Sequence, residues 1–282
     1  EVAYDESLKT SLLAEVEAHS AEGAITIRMG RSIVGVMRNE IDPLHLMFGQ
    51  DNMMEDVYKE GLGLRNLPKY LQNHLMLLRH KHSGVNVLEV GGGTGSFTSE
   101  ILAVLCPESG PAKGSIASYT FTDISSGFFD KAKRKFQSWS SIMSFKSFDI
   151  GKDATEQGLQ HGTYDLIFAG NVIHATADLH NALSNLRSLL RPGGQLIMQE
   201  GIRQDFLWYP LVFGQLPGWW LGNEPMRQWC PYIPSGEWNK LLIESGFSGV
   251  DIEYPSSTDD DLSWQSILVS TAVGSRGVPS KI

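Results

Sequence analysis

The sequence predicts an α/β fold: a doubly wound parallel sheet with helices on both faces, closed by an antiparallel edge hairpin and preceded by a helical lid. Three observations carry this. A glycine-rich turn, Gly91-Gly92-Gly93-Thr94-Gly95, directly follows the apolar run Val87-Leu88-Glu89-Val90. From about residue 86 onward, runs of strand length alternate with helical patterns, which implies right-handed crossovers and a parallel sheet. Two further runs, Val250–Tyr254 and Gln265–Thr271, follow one another closely enough to pair as a hairpin.

In order along the chain, residues 1–80 read as a helical lid. Leu8, Leu12, Leu13 and Val16 make one apolar face behind a cap at Asp5. Asp42-Pro43 interrupts the next helix, because proline disfavours helix in the residue before it. Leu71, Leu75 and Leu78 form another stripe, with Pro68 near its first turn. The core is expected over 81–273, with strands at 86–90, 118–122, 143–148, 164–169 and 195–199. A helix carrying Phe97, Ile101 and Leu105 follows the glycine turn. Leu179, Leu183, Leu186 and Leu190 mark a helix that Pro192-Gly193-Gly194 ends. An aromatic insert occupies about 203–237, and Trp238, Leu241 and Leu242 begin a final helix that Gly246 caps. Residues 274–282 read as a tail or linker.

The chain has 282 residues, 41% of them hydrophobic and 20% charged, which suits one large globular domain or a domain with a lid. A net charge of −9 argues against a nucleic-acid groove. No apolar run approaches the roughly 18 residues of a membrane span, and no signal peptide opens the sequence. Two cysteines, Cys106 and Cys230, make no disulfide framework and fit a reducing, cytoplasmic setting. The first residue is Glu1 rather than Met, which leaves open a piece of a longer polypeptide or a processed chain.

Ligands of open α/β sheets bind beyond the carboxyl ends of the strands. Gly91, Gly93 and Gly95 let the backbone bend there and let a cofactor approach without meeting a Cβ. A dinucleotide fingerprint wants glycine at position 96, where Ser96 stands. G-x-G-x-G after an acidic residue is instead the pattern of S-adenosylmethionine sites. Three acids close successive strands. Glu89 can hold the turn or the cofactor's ammonium, Asp123 can accept from both ribose hydroxyls, and Asp149 can accept from the adenine amino group. Ile124 and Ile150, which follow two of these acids, are counted with the cofactor set, as is Asn171, which can bond either substrate or the cofactor's methionine part. Each acid singly also reads as a turn former or helix cap; the series is what points to a cofactor. No metal-ligand spacing is present, and no metal is expected.

Further stretches carry a resemblance: Tyr119-Thr120-Phe121-Thr122-Asp123-Ile124-Ser125-Ser126-Gly127, Asn171-Val172-Ile173-His174-Ala175-Thr176, Leu190-Arg191-Pro192-Gly193-Gly194 and Leu216-Pro217-Gly218-Trp219-Trp220. Together these resemble the C-methyltransferase domain of fungal iterative, highly reducing polyketide synthases, over roughly 65–270. The resemblance implies a Rossmann-like class I methyltransferase fold and methylation of the α-carbon of a β-ketoacyl chain carried as a thioester on an acyl carrier protein. Other domains of the same megasynthase are then partners. It also implies a catalytic pair, matched here by His174 and Glu200.

That pair suits the chemistry. The α-carbon between a ketone and a thioester is acidic, and a histidine with an ordinary pKa near 6.5 can take its proton at neutral pH. A carboxylate partner fixes the imidazole tautomer. The insert's aromatics, among them Phe206, Trp208, Tyr209, Phe213 and Trp219, divide between packing and an apolar wall that excludes water. Tyr4, Tyr58 or Tyr70 in the lid can reach substrate, and the sequence does not choose among them. Arg79-His80-Lys81-His82 reads as a solvated helix end and Asp259-Asp260-Asp261 as a solvated hairpin tip. Two alternatives stay open: an O- or N-methyltransferase of free small molecules, and a non-catalytic methyltransferase-like scaffold.

Overall fold

A computed structural model describes residues 5–49, 53–61, 67–81, 83–107, 115–259 and 262–274. Its helices are α1 Glu6–His19, α2 Ala21–Met37, α3 Pro43–Phe48, α4 Met53–Glu60, α5 Leu67–Lys81, α6 Ser96–Leu105, α7 Phe129–Lys135, α8 Leu179–Leu189, α9 Trp208–Val212 and α10 Ser235–Glu244. Its strands are β1 Val85–Val90, β2 Ile116–Asp123, β3 Met143–Ser147, β4 Tyr164–Gly170, β5 Leu190–Gly201, β6 Ile252–Pro255 and β7 Gln265–Thr271.

The seven strands form one sheet in the order β3-β2-β1-β4-β5-β7-β6. The first five pair in parallel, and β7 runs antiparallel between β5 and β6. The order reverses between β1 and β4, so the carboxyl ends of these strands open a crevice at the switch point. β1 and β4 are nearly continuous apolar runs because both their faces are covered. One core holds Leu71, Leu75, Ile101 and Phe168; the other, on the opposite face, holds Leu88, Ile167, Leu183 and Leu268.

β5 begins at Leu190, five residues before the expected start, and takes in the Pro-Gly-Gly turn. Gly193 N–H donates to Ala272 O at 2.8 Å and Ala272 N–H to Gly194 O at 2.8 Å, so backbone pairing overrides the local preference of proline and glycine. Helix α5 buries Leu71, Leu75 and Leu78 in the core of the sheet, whereas α2 to α4 bury Ile25, Met29, Met47 and Met54 in a third cluster with Val212 of α9. That cluster ties the N-terminal helices to the aromatic insert. Trp208 Nε1 donates to Thr26 Oγ1 at 2.6 Å across the same contact. Asp5 accepts Leu8 N–H at 2.9 Å and caps α1, but Leu8, Leu12 and Val16 on the expected apolar face are exposed. Among the described residues no helix is long and apolar enough to cross a membrane.

Candidate active site

Glycine builds the floor of the crevice. Gly91, Gly93 and Gly95 all have positive φ (63°, 50° and 76°). A Cβ on Gly91 would lie 2.1 Å from Val172 Cγ2, so the glycine turn abuts the loop that carries His174. A Cβ on Gly93 would meet nothing nearer than Gly91 O at 3.8 Å, which leaves open space above that residue.

The acids at the strand ends are held in three ways. Glu89 is buried, and its Oε2 accepts Thr98 Oγ1–H and Tyr119 O–H, both at 2.7 Å. Its Oε1 is buried with no partner. Burial pushes its pKa up to about 7, aided by the Asp123 charge and opposed by the Thr98 and Tyr119 bonds and by Lys135. Asp123 accepts Gly93 N–H at 3.0 Å and Ser125 N–H at 2.9 Å, fixing the glycine turn to the end of β2. Burial raises its pKa, against these backbone bonds. Asp149 closes its own turn: Oδ1 accepts Gly151 N–H at 2.9 Å and Oδ2 faces Lys152 Nζ at 3.0 Å. Beside these acids, Ile124 is 70% exposed and Ile150 is buried.

The second half of the site lies at the ends of β4 and β5. His174 Nδ1 and Glu200 Oε2 are 2.6 Å apart, and the carboxylate is fully buried. Glu200 Oε1 accepts the backbone N–H groups of Ile173 at 2.8 Å and Val172 at 3.3 Å. Both carboxylate oxygens are therefore committed, one to the ring and one to the backbone of the loop that carries it. His174 Nε2 is the nitrogen left for a ligand. The ring edge packs on Tyr232 with centroids 5.0 Å apart.

His174 and Asn171 line a cavity of about 190 Å³ whose other walls are largely aromatic and include Tyr209, Phe213, Trp219 and Trp264, with Phe48 and Val57 from α3 and α4. Asn171 thus stands on the His174 side of the crevice. Its backbone is left-handed (φ 55°), and its Oδ1 accepts Gln265 Nε2–H at 2.6 Å. Tyr70 instead stacks on Tyr254. Tyr4, the side chain of Tyr58, His82, Asp260 and Asp261 lie outside the described residues.

Sequence reasoning passed over Arg227. It is 3% exposed and donates to the carbonyls of His174 at 2.8 Å, Thr176 at 2.9 Å and Ala177 at 3.2 Å, and to Glu224 Oε2 at 2.7 Å. Glu224 Oε1 accepts Leu179 N–H at 2.7 Å at the start of α8. The insert is thereby stitched to the His174 loop. An arginine inside an otherwise aromatic stretch was the available signal.

A methyltransferase-domain family model matches residues 88–196. A highly reducing polyketide synthase, otaA, of Aspergillus carbonarius is 43% identical over 242 residues, 84% of this chain and 10% of the relative. The CurJ carbon methyltransferase superimposes with a TM-score of 0.81 at 33% identity, covering 95% of this chain and 71% of that one. The chain belongs to the carbon-methyltransferase domains of polyketide synthases. This methyltransferase spans about a tenth of the length of the curated relatives it matches. The trans-methyltransferase CalH, solved with SAH (S-adenosylhomocysteine), gives a TM-score of 0.85 at 28% identity over 96% of this chain and 75% of that one.

The cofactor is S-adenosylmethionine, and the crevice fits it. The unpartnered Glu89 oxygen suits a cation, the open space above Gly93 suits close backbone approach, and the exposed Ile124 beside Asp123 offers an apolar ledge at a carboxylate. Among the described residues no group of three or more His, Cys, Asp or Glu is placed to hold a metal.

Proposed function

We propose that the domain methylates the α-carbon of a β-ketoacyl chain carried as a thioester on the phosphopantetheine arm of an acyl carrier protein. His174 is the base and Glu200 orients it. The observation that carries this reading is the 2.6 Å His174–Glu200 contact in the wall of an aromatic cavity. With Nδ1–H given to Glu200, Nε2 presents a lone pair and takes the α-proton. The buried carboxylate then faces the imidazolium it stabilises. The aromatic walls exclude water from the enolate and accept an acyl chain.

Glu89, Gly91, Gly93, Gly95, Asp123, Ile124, Asp149 and Ile150 form the cofactor side of the site, and Asn171 lies between the cofactor and the acceptor. S-Adenosylmethionine, when bound, supplies an electrophilic methyl group. The Gly91–Val172 contact brings the two halves of the site together. The acyl carrier protein and the other domains of the same synthase are its partners, in the cytoplasm, and α2 to α4 cap the acceptor side.

Mass spectrometry with S-adenosylmethionine and an acetoacetyl-pantetheine thioester tests this, with fragmentation locating the added methyl. We expect methyl on the α-carbon. His174→Ala should lose activity while keeping cofactor affinity within a few-fold. Methyl on oxygen would overturn the reading, as would an active His174→Ala.

A further inference from the structure

Three amides stand in a row, Gln199 of β5, Gln265 at the start of β7 and Asn171 just after β4, and the last two line the cavity. Gln199 Nε2–H donates to Gln265 Oε1 at 2.8 Å, and Gln265 Nε2–H donates to Asn171 Oδ1 at 2.6 Å. The chain has a direction. Because Gln265 spends its donor on Asn171, the Asn171 carbonyl is occupied. The Asn171 Nδ2–H₂ makes no hydrogen bond among the described residues and is not sealed from solvent.

Asn171 is also held by its backbone. Its N–H donates to Gln199 O at 2.8 Å, and its φ of 55° is a conformation asparagine accepts more readily than most residues. Such strain persists only where the surroundings over-determine it. Here the same two glutamines do so. Asn171, His174 and Gln265 line one cavity, and its other walls are largely apolar.

We propose that Asn171 is the hydrogen-bond donor for the acceptor's carbonyl oxygen as it becomes an enolate, and that Gln265 is a positioning residue that sets which end of the Asn171 amide faces the cavity. This rests on the acceptor chemistry proposed above. In the step concerned, the α-carbon–hydrogen bond breaks and the proton passes to His174 Nε2. The electron pair it leaves shifts onto the carbonyl oxygen, where Nδ2–H meets it. A donor fixed in advance, in a cavity that a bound acceptor would close to water, favours the charged oxygen over the neutral carbonyl. An inverted amide would turn a carbonyl oxygen toward the developing charge and oppose the reaction.

Gln265→Glu separates this from a packing role. A carboxylate has only acceptors to offer. Gln199 would still donate to one of its oxygens, and Asn171 would turn its Nδ2–H₂ toward the other, leaving Oδ1 to the cavity. The acetoacetyl-pantetheine thioester serves as probe in two assays on the full chain: α-proton exchange in D₂O above the uncatalysed background, and methyl transfer with S-adenosylmethionine. We expect Asn171→Ala and Gln265→Glu each to slow both by about 10²–10³-fold, mainly in kcat, with cofactor affinity within a few-fold. Asn171→Asp, nearly isosteric and still able to accept from Gln265, should be as slow as Asn171→Ala. Adding Gln265→Glu to Asn171→Ala should cost nothing more, because residues acting through one another are non-additive. Wild-type rates in Asn171→Asp or Gln265→Glu would overturn the proposal, and so would full additivity in the double variant. A wild-type chain that neither exchanges nor methylates this thioester would overturn the acceptor reading, and this one with it.

Discussion

Glu89 shows how one side chain couples the cofactor crevice to pH. Burial is the main cause of its raised pKa, about 7 against an ordinary 4.5, and one carboxylate oxygen has no partner. The folded chain thus binds a proton that the unfolded chain has released between these values. The stability this contributes is complete below about pH 4.5 and is lost as pH rises through about 7, a change on the order of 3 kcal/mol. Glu89→Gln should flatten the dependence of melting temperature on pH between 5 and 8. A cationic group bound at Oε1 would favour the ionised form. Cofactor affinity of the wild type should therefore increase with pH through about 7, with proton release, and that slope should vanish in Glu89→Gln. Calorimetry in buffers of different ionisation enthalpy would read the proton directly. A slope unchanged in the variant would place the titrating group elsewhere.

Among the elements, the link between the insert and the His174 loop is the least expected feature. Arg227 satisfies three carbonyls at 174, 176 and 177, and it forms an ion pair with Glu224 while itself fully covered. Removing one partner of such a buried pair typically costs about 3–5 kcal/mol, and it also frees the backbone that carries the proposed base. Arg227→Lys keeps the charge but cannot reproduce the guanidinium fork. We expect kcat to fall at least about tenfold in Arg227→Lys, in line with the sensitivity of catalysis to small misplacements, while cofactor affinity holds. In Arg227→Ala, added guanidinium should restore part of the rate. Equal loss of cofactor affinity and rate would make Arg227 a general support of the fold. No local pattern reveals this link, because the partners lie 50 to 53 residues apart. The Gln199–Gln265–Asn171 row was hidden for the same reason, its members 66 and 94 residues apart. What the sequence did carry was local. The glycine turn, the acid at each strand end and the apolar strand runs each advertise themselves within a few residues.

At the scale of the whole molecule, the parallel sheet and the closing antiparallel hairpin were legible because strand-length runs alternate with helical patterns along the chain and the last two runs follow one another closely. The exposure of α1 was not, since an apolar stripe shows that a face can be buried and not what covers it. Nor was the third hydrophobic cluster, in which Ile25 and Met29 of α2 meet Val212 of α9 far along the chain. Its position makes the cap and the insert one wall of the aromatic cavity beside His174, while the glycine turn rests on the sheet. Ile25 is fully buried there, and Ile25→Ala should destabilise that cluster by about 2–5 kcal/mol through lost burial and a residual cavity. The cluster touches the cavity through Phe213 and Val57. The expected result is therefore a raised KM for the acceptor thioester with cofactor affinity preserved. Hydrogen exchange should quicken in α2 and α9 before it does in β1 and β4, whose backbones sit at the centre of the sheet. If exchange instead quickened uniformly and cofactor binding weakened in step, the cap and the sheet would unfold as a single cooperative unit. The acceptor wall would then have no stability of its own to tune.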